Sequence, residues 1–225
     1  MNNTPLPKNN RFAAYHQRRL SLIARMQQAG GGVAVIPTAT EQVRNRDAHF
    51  PFRADSYFQY LTGFNEPDAV LVIVVCAHNA TARSLLFCRE KNPERETWDG
   101  YRHGPEAAKD LFAFDEALPI SAFDSQLAEL LADQPALWFS LGHDATWDAR
   151  ITTALNAVRA QTRAGKSAPA VIRDVRVTLD AMRLIKDASE IALMRRAGEI
   201  AAEAERHEVR HGIGAELAQI RADQH

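Results

Sequence analysis

The alternation of apolar and polar positions predicts a helix followed by strands in the first part of the chain. Apolar residues recur at helical spacing over residues 11–28, and three glycines at 30–32 end that helix. Residues 33–36 then predict a short buried strand. Further segments rich in β-branched and aromatic residues predict successive strands at 57–62, 69–76 and 84–88. Their short connections favour antiparallel pairing.

Helical patterns resume beyond these strands, at residues 105–113 and 121–132. Residues 138–141 predict one more strand, and Asp144 is a candidate N-cap for a helix that continues to about residue 160. Hairpin-length connections and helical crossovers in one chain predict an α/β fold with a mixed β-sheet flanked by helices.

A polar segment at residues 161–169 is the best linker candidate, and it places a domain boundary close to residue 173. The predicted domains are therefore 1–173 and 174–225. In the second, Asp187 and Glu190 form a capping-box pattern at the start of a long helix, which Gly212 and Gly214 are expected to end before a short helix at 215–222. About fifty residues do not make a domain with a sizeable core of its own, so this segment is expected to be the beginning of a larger one.

Composition and charge narrow the classes of function. The chain has 225 residues, 46% of them hydrophobic, and a formal net charge of −1, so no basic surface for nucleic acid is expected. The longest apolar run, residues 69–77, is too short to cross a bilayer, and the N-terminus lacks the apolar core of a signal peptide. These features predict a cytoplasmic protein without membrane contact. Cys76 and Cys88 lie in apolar segments, which predicts buried, reduced thiols.

One metal-binding pattern occurs, His207-Glu208-Val209-Arg210-His211, which satisfies HExxH. On a helix the two imidazoles share a face and could bind zinc, with Glu208 as a general base. A catalytic zinc needs a third protein ligand, and only fourteen residues follow His211. Coincidence is the favoured interpretation, and a small zinc hydrolase stays open as a minor alternative.

Two polar and aromatic clusters are better candidates for a site. One surrounds Asp47 at residues 44–56, where charged side chains alternate with phenylalanines. The other is a glycine-containing segment at residues 97–104, which carries Trp98 and Arg102 and is expected to be a loop. Loops that carry aromatic side chains and convergent charges suit ligand binding, because the aromatic ring anchors the ligand and the charge fixes its orientation. Structural ion pairs with a core anchor are an equally good interpretation.

Three blocks of sequence resemble the N-terminal half of an Xaa-Pro aminopeptidase (aminopeptidase P). They are Asp47-Ala-His-Phe-Pro-Phe-Arg-Ala-Asp-Ser-Tyr-Phe-Gln-Tyr-Leu-Thr-Gly-Phe-Asn-Glu-Pro-Asp-Ala-Val70, Thr97-Trp-Asp-Gly-Tyr-Arg102 and Met182-Arg-Leu-Ile-Lys-Asp-Ala-Ser-Glu-Ile-Ala-Leu-Met-Arg-Arg-Ala-Gly198. The resemblance implies a creatinase-type N-terminal domain followed by the first helices of a pita-bread catalytic domain.

Members of that family remove an N-terminal residue that precedes proline, using two divalent ions, usually manganese. The resemblance places the metal ligands, two Asp, one His and two Glu, beyond His225, so this chain is expected to hold no cofactor and to be inactive alone.

The resemblance also implies a homo-oligomer in which the N-terminal domain restricts access to a neighbouring subunit's active site. By motif position Asp47 and Trp98 match residues near that cleft, and Arg102 follows in the same segment. All three are predicted substrate-binding residues for peptides with proline in the second position. A stand-alone peptide- or protein-binding module remains the alternative.

Overall fold

The fold is described from a computed structural model for residues 12–76 and 81–222, and beyond residue 207 for the backbone alone. The helices are α1 (Ala13–Gln28), α2 (Ser56–Thr62), α3 (Pro93–Asp99), α4 (Gly104–Phe112), α5 (Phe123–Leu131), α6 (Ala145–Ala160), α7 (Val175–Leu184) and α8 (Ala188–Ala222). The strands are β1 (Gly32–Pro37), β2 (Val70–Val75), β3 (Ala82–Cys88), β4 (Glu116–Pro119), β5 (Ala136–Trp138) and β6 (Val171–Arg173). The chain divides into two compact units, Met1–Ala181 and Met182–His225.

The first unit is built on a six-stranded mixed sheet with the order β4-β3-β2-β1-β5-β6. β2 pairs antiparallel with both β1 and β3, whereas β4, β5 and β6 pair with their neighbours in parallel. All six residues of β2 are buried, so both faces of the sheet are covered at its centre. The predicted α/β class with a mixed sheet flanked by helices is confirmed.

One predicted strand is wrong: residues 57–62 belong to helix α2. The carboxylate of Asp55 accepts hydrogen bonds from the backbone N–H groups of Tyr57 at 2.8 Å and Phe58 at 3.0 Å, which caps the first turn. Gly63 ends the helix with a φ of 65°, in the left-handed region. These caps at both ends, with Phe58 and Leu61 on the buried face, outweigh the β-propensity of the aromatic residues.

The predicted Asp144 cap is confirmed: its Oδ1 accepts from the N–H groups of Thr146 and Trp147, and α6 follows to Ala160. The strand expected at 138–141 lies earlier, at Ala136–Trp138. After the polar segment 161–169 the chain returns to the sheet, because β6 pairs with β5 before α7 begins.

The second unit contains the long helix α8. Its predicted capping box is present, since Asp187 Oδ1 accepts from the N–H of Glu190 and Glu190 Oε2 accepts from the N–H of Asp187. The predicted end at Gly212 is wrong, because the helix continues through both glycines to Ala222. Each glycine costs about 1 kcal/mol in a helix, and the surrounding Ala, Glu, Leu and Gln residues favour it. None of the helices in the described part of the chain combines the length and the hydropathy that a membrane span requires.

Candidate functional site

Trp98 lies in the last turn of α3, not in a loop as the sequence suggested. The helix starts where Asn92 Oδ1 accepts from the N–H of Arg95 at 3.1 Å, and Pro93 occupies the first turn. Trp98 is 86% exposed. By contrast Trp138 and Trp147 are buried in the first unit. A large aromatic side chain is thus presented to solvent on a capped helix.

The helix belongs to a segment, residues 89–103, that connects the end of β3 to the start of α4. We call this segment the Trp98 arm. Lys91 braces its interior, because Nζ donates to Glu96 Oε2 and to the carbonyl of Arg102, each at 2.9 Å. The same ammonium lies 3.8 Å from the ring centroid of Tyr101, a cation–π contact. The two ends of the arm are therefore tied across its interior.

Arg102 is a second brace. Its side chain is only 13% exposed, and Nη2 donates to Asp99 at 2.6 Å. A guanidinium that is mostly buried and already paired orients its own segment. The structure therefore places Arg102 on the same arm as Trp98, with its charge directed to Asp99 at the end of α3.

Glu66, which is not among the predicted site residues, joins this arm to the core. Its side chain is 8% exposed, and Oε1 accepts from the backbone N–H of His103 at 2.9 Å and lies 2.5 Å from His103 Nδ1. Arg89 Nη2 lies 3.6 Å from Oε2. The sequence does contain a signal that could have indicated Glu66. It is the one charged residue between Tyr60 and Pro67, in a block otherwise made of apolar and small polar residues.

Cys88 precedes the arm and is buried at the end of β3. Burial, and then the negative charge of Glu66, raise the pKa of the thiol to about 12. The thiol is therefore protonated at neutral pH and unsuited to nucleophilic work. Both cysteines are free, as expected, although Cys76 is only half-buried.

Asp47 lies elsewhere, in an exposed turn between Val43 and His49, which form an isolated antiparallel bridge. The turn is closed by Asn45, whose side-chain oxygen accepts from the N–H of Ala48 at 3.1 Å. In the described part of the chain, no hydrogen bond or ion pair joins Asp47 to Trp98 or Arg102. Of the three predicted site residues, two share one arm and the third is on a separate surface turn.

A separate cleft of about 230 Å³ opens at the carboxyl ends of β1 and β5. Thr38, Ser140 and Trp147 contribute to its lining. Its acidic side chains are already engaged, since Asp55 and Asp144 cap α2 and α6. These two carboxylates therefore position the loops that border the cleft.

The second kind of site that the sequence suggested is a metal centre. No group of three His, Cys, Asp or Glu side chains comes together in a metal-binding arrangement in the part of the chain that the structure describes. The dinuclear centre that the family resemblance implies has no ligand set in that part of the chain. His207 is on α8, whereas the side chains of Glu208 and His211 lie outside the described residues.

Strands β1 to β5 and the arm lie within a known domain: residues 15–138 match the family "Aminopeptidase P, N-terminal domain". The chain belongs to this family. Among individual proteins, it is 39% identical over 190 residues to the Xaa-Pro aminopeptidase of Escherichia coli K12, a match that covers 84% of this chain and 42% of that protein. It is 35% identical over 197 residues to the Xaa-Pro aminopeptidase of Haemophilus influenzae, of which it covers 41%.

Comparison with solved structures gives the same family. Proline aminopeptidase P II from Yersinia pestis matches with a TM-score of 0.82 and 40% identity, over 87% of this chain and 44% of that one. Zinc-substituted E. coli aminopeptidase P in complex with product matches with a TM-score of 0.81 and 38% identity, over 85% and 43%. The chain spans about two fifths of the length of the relatives it matches.

Proposed function

We propose that this chain contributes the N-terminal domain of an Xaa-Pro aminopeptidase, and that the domain serves subunit contact and substrate access in the cytoplasm. The observation that carries the proposal is the exposure of Trp98 on a braced arm. A tryptophan at 86% exposure leaves most of its apolar surface in water, and tryptophan is among the residues that contribute most when an interface covers them.

The surface beside Trp98 is suited to binding a peptide or a protein. Tyr101, on the same arm, is 63% exposed and has Lys91 against its ring. Two aromatic rings can bind a proline ring or a neighbouring chain through flat apolar contact. We propose that Trp98 makes this contact in a homo-oligomer, at the active site of another subunit, and that Asp47 pairs with a peptide amine or an arginine there. Arg102 acts by holding the arm.

Manganese-dependent removal of a residue preceding proline is part of the proposal for the whole enzyme, not for these residues alone. We expect the purified 225-residue protein to release no amino acid from peptides with proline in second position, with or without added Mn²⁺, because its described residues offer no metal ligand set. An amino-acid release assay checks this, with E. coli Xaa-Pro aminopeptidase as the positive control.

Turnover by the purified chain would contradict this prediction. Metal analysis then separates two sources of activity. Stoichiometric zinc that is lost in His207→Ala would indicate the HExxH hydrolase, whereas activity that follows added manganese would indicate a dinuclear site.

Self-association tests the role of Trp98. We expect the chain to form oligomers in analytical ultracentrifugation and Trp98→Ala to weaken the association roughly 30-fold, which corresponds to about 2 kcal/mol for an interface tryptophan. Leu141→Ala is a matched control, because Leu141 is also an exposed hydrophobic residue but lies after β5. An equal effect of both substitutions, or a monomer at all concentrations, would contradict the proposed contact.

The alternative, a stand-alone binding module, relies on the same exposed ring. It predicts saturable binding of peptides or of a protein partner to the isolated chain, weakened by Trp98→Ala. Isothermal titration with a peptide that has proline in second position distinguishes it, because the subunit-contact proposal needs a complete active site and predicts no such binding by this chain.

A further inference from the structure

Both ends of the Trp98 arm meet at one buried carboxylate. Arg89, the first residue of the arm, has its Nη2 at 3.6 Å from Glu66 Oε2. His103, the last residue, donates its backbone N–H to Glu66 Oε1 at 2.9 Å, and its ring nitrogen Nδ1 is 2.5 Å from the same oxygen. Glu66 itself belongs to the connection between α2 and β2, so it fastens the arm to the core of the first unit.

The backbone also closes at this point. Gly104, next to His103, has a φ of 72°, and a Cβ placed on it would lie 3.2 Å from both the backbone nitrogen and the Cβ of Lys91. Such an approach is tighter than ordinary van der Waals contact. The start and the end of the arm are therefore in direct contact, and α3 with Trp98 lies between them in sequence.

The energetics make Glu66 and the arm depend on each other. A buried carboxylate is costly unless it is paired and hydrogen-bonded. Glu66 Oε2 makes no hydrogen bond among the described residues, so its charge is compensated by the ion pair to Arg89 and by the donors of His103 at Oε1. Without the arm in place the carboxylate would lose these partners, and without the carboxylate the two ends of the arm would lose their common acceptor.

We propose that Glu66 is a positioning residue for Trp98: it holds the arm closed at its base, and so fixes the direction in which the exposed ring is presented. The ring then meets a partner without the entropy loss of ordering a mobile segment. The use of that surface in subunit contact rests on the proposed function, whereas the link from Glu66 to Trp98 is a property of this chain alone.

The test is hydrogen exchange resolved by peptide, together with ¹⁹F NMR of protein labelled with 5-fluorotryptophan. In Glu66→Leu we expect faster exchange of the amides of α3 and a shifted Trp98 resonance. The resonances of Trp138 and Trp147, and exchange in α5, should stay as in the wild type, because these parts are buried in the core or lie outside the arm. Glu66→Gln retains an acceptor for His103 N–H and is expected to restore part of the wild-type signal.

Two further variants serve as a control and as an independent test of the arm. Asp115→Asn weakens another carboxylate that ties segments together, through Ser84 N–H at 2.7 Å and Ser84 Oγ at 2.8 Å, and should leave the Trp98 resonance unchanged. Gly104→Ala disturbs the base of the arm while leaving the Glu66 side chain itself unaltered, and should shift that resonance even if Glu66→Leu fails to fold.

An unchanged Trp98 resonance in both Glu66→Leu and Gly104→Ala would overturn the inference, as would equal shifts of all three tryptophans. The result for the positioning role of Glu66 can be distinguished from the result for the proposed subunit contact. If these variants move Trp98 but Trp98→Ala leaves self-association unaltered, the positioning role stands and the subunit contact fails.

Discussion

Replacing Arg19 with methionine is expected to lower the free energy of unfolding by about 3 kcal/mol, because three backbone carbonyls lose their donor. Arg19 is 1% exposed on α1. Its guanidinium donates to the carbonyls of Leu61 at 2.9 Å, Phe112 at 2.8 Å and Ala113 at 2.7 Å, and lies over the ring of Phe114. These carbonyls are at the C-terminal ends of α2 and α4, where a cation also complements the helix dipoles.

Burial lowers the pKa of Arg19 to about 9, so the group is still protonated at neutral pH and can serve all three acceptors. Urea denaturation followed by circular dichroism measures the loss. Arg25→Met is the control, because Arg25 is exposed on the same helix and its replacement should change stability by no more than about 0.5 kcal/mol. Lysine at position 19 should recover only part of the loss, since an ammonium lacks the fork of donors. A loss for Arg19→Met as small as that for Arg25→Met would show that the carbonyls find other donors.

Arg19 also shows what local patterns leave out. The sequence of α1 predicts the helix correctly, but nothing in its pattern marks Arg19 as a buried residue. Arg19 is buried because its acceptors are supplied by residues 42, 93 and 94 positions away. No periodicity within α1 contains that information, so a buried cation of this kind is visible only once α2 and α4 are packed.

Strands β1, β2 and β3 were predictable from the sequence, whereas the short strands β4 and β6 at the two edges of the sheet were not. β1 and β2 are continuous apolar runs, and β3 ends in one at residues 85–88. The antiparallel pairing of β2 with β3 follows from their short connection. Helix α2 was missed although its caps, Asp55 and Gly63, are visible in the sequence. A seven-residue segment is too short for helical periodicity to stand out against aromatic β-propensity, so the caps were the better signal.

The candidate site was predictable in part. Trp98 and Arg102 are neighbours in sequence, and the structure keeps them on one arm. The bracing role of Arg102 depends on its hydrogen bond to Asp99, which is the last residue of α3. The sequence predicted a loop at this position, so this contact was not expected. Glu66 lies well away in sequence from Arg89 and His103. Its role therefore follows from tertiary contacts, which residue type and spacing do not encode.

Gly32→Ala is expected to be as damaging as the loss of Arg19, with a decrease in the free energy of unfolding of about 3 kcal/mol or more. Gly32 begins β1 with a φ of 118°, and a Cβ at this position would lie 2.2 Å from the carbonyl oxygen of Ala136 in β5. The obstacle is backbone, so β5 would have to move away from β1 at the point where the two strands pair in parallel.

Gly30→Ala is the matched control, since Gly30 also has a positive φ, 95°, but an added Cβ there meets nothing within 4 Å. We expect it to cost about 1–2 kcal/mol from backbone conformation alone, so the difference between the two variants measures the contact with β5. Urea denaturation gives both values, and Trp138 is a local reporter, because its Nε1 donates to the carbonyl of Gly31 at 3.0 Å. Equal losses in the two variants, with unchanged Trp138 emission, would mean that β5 accommodates a methyl group and that the close approach of the strands is not required by the fold.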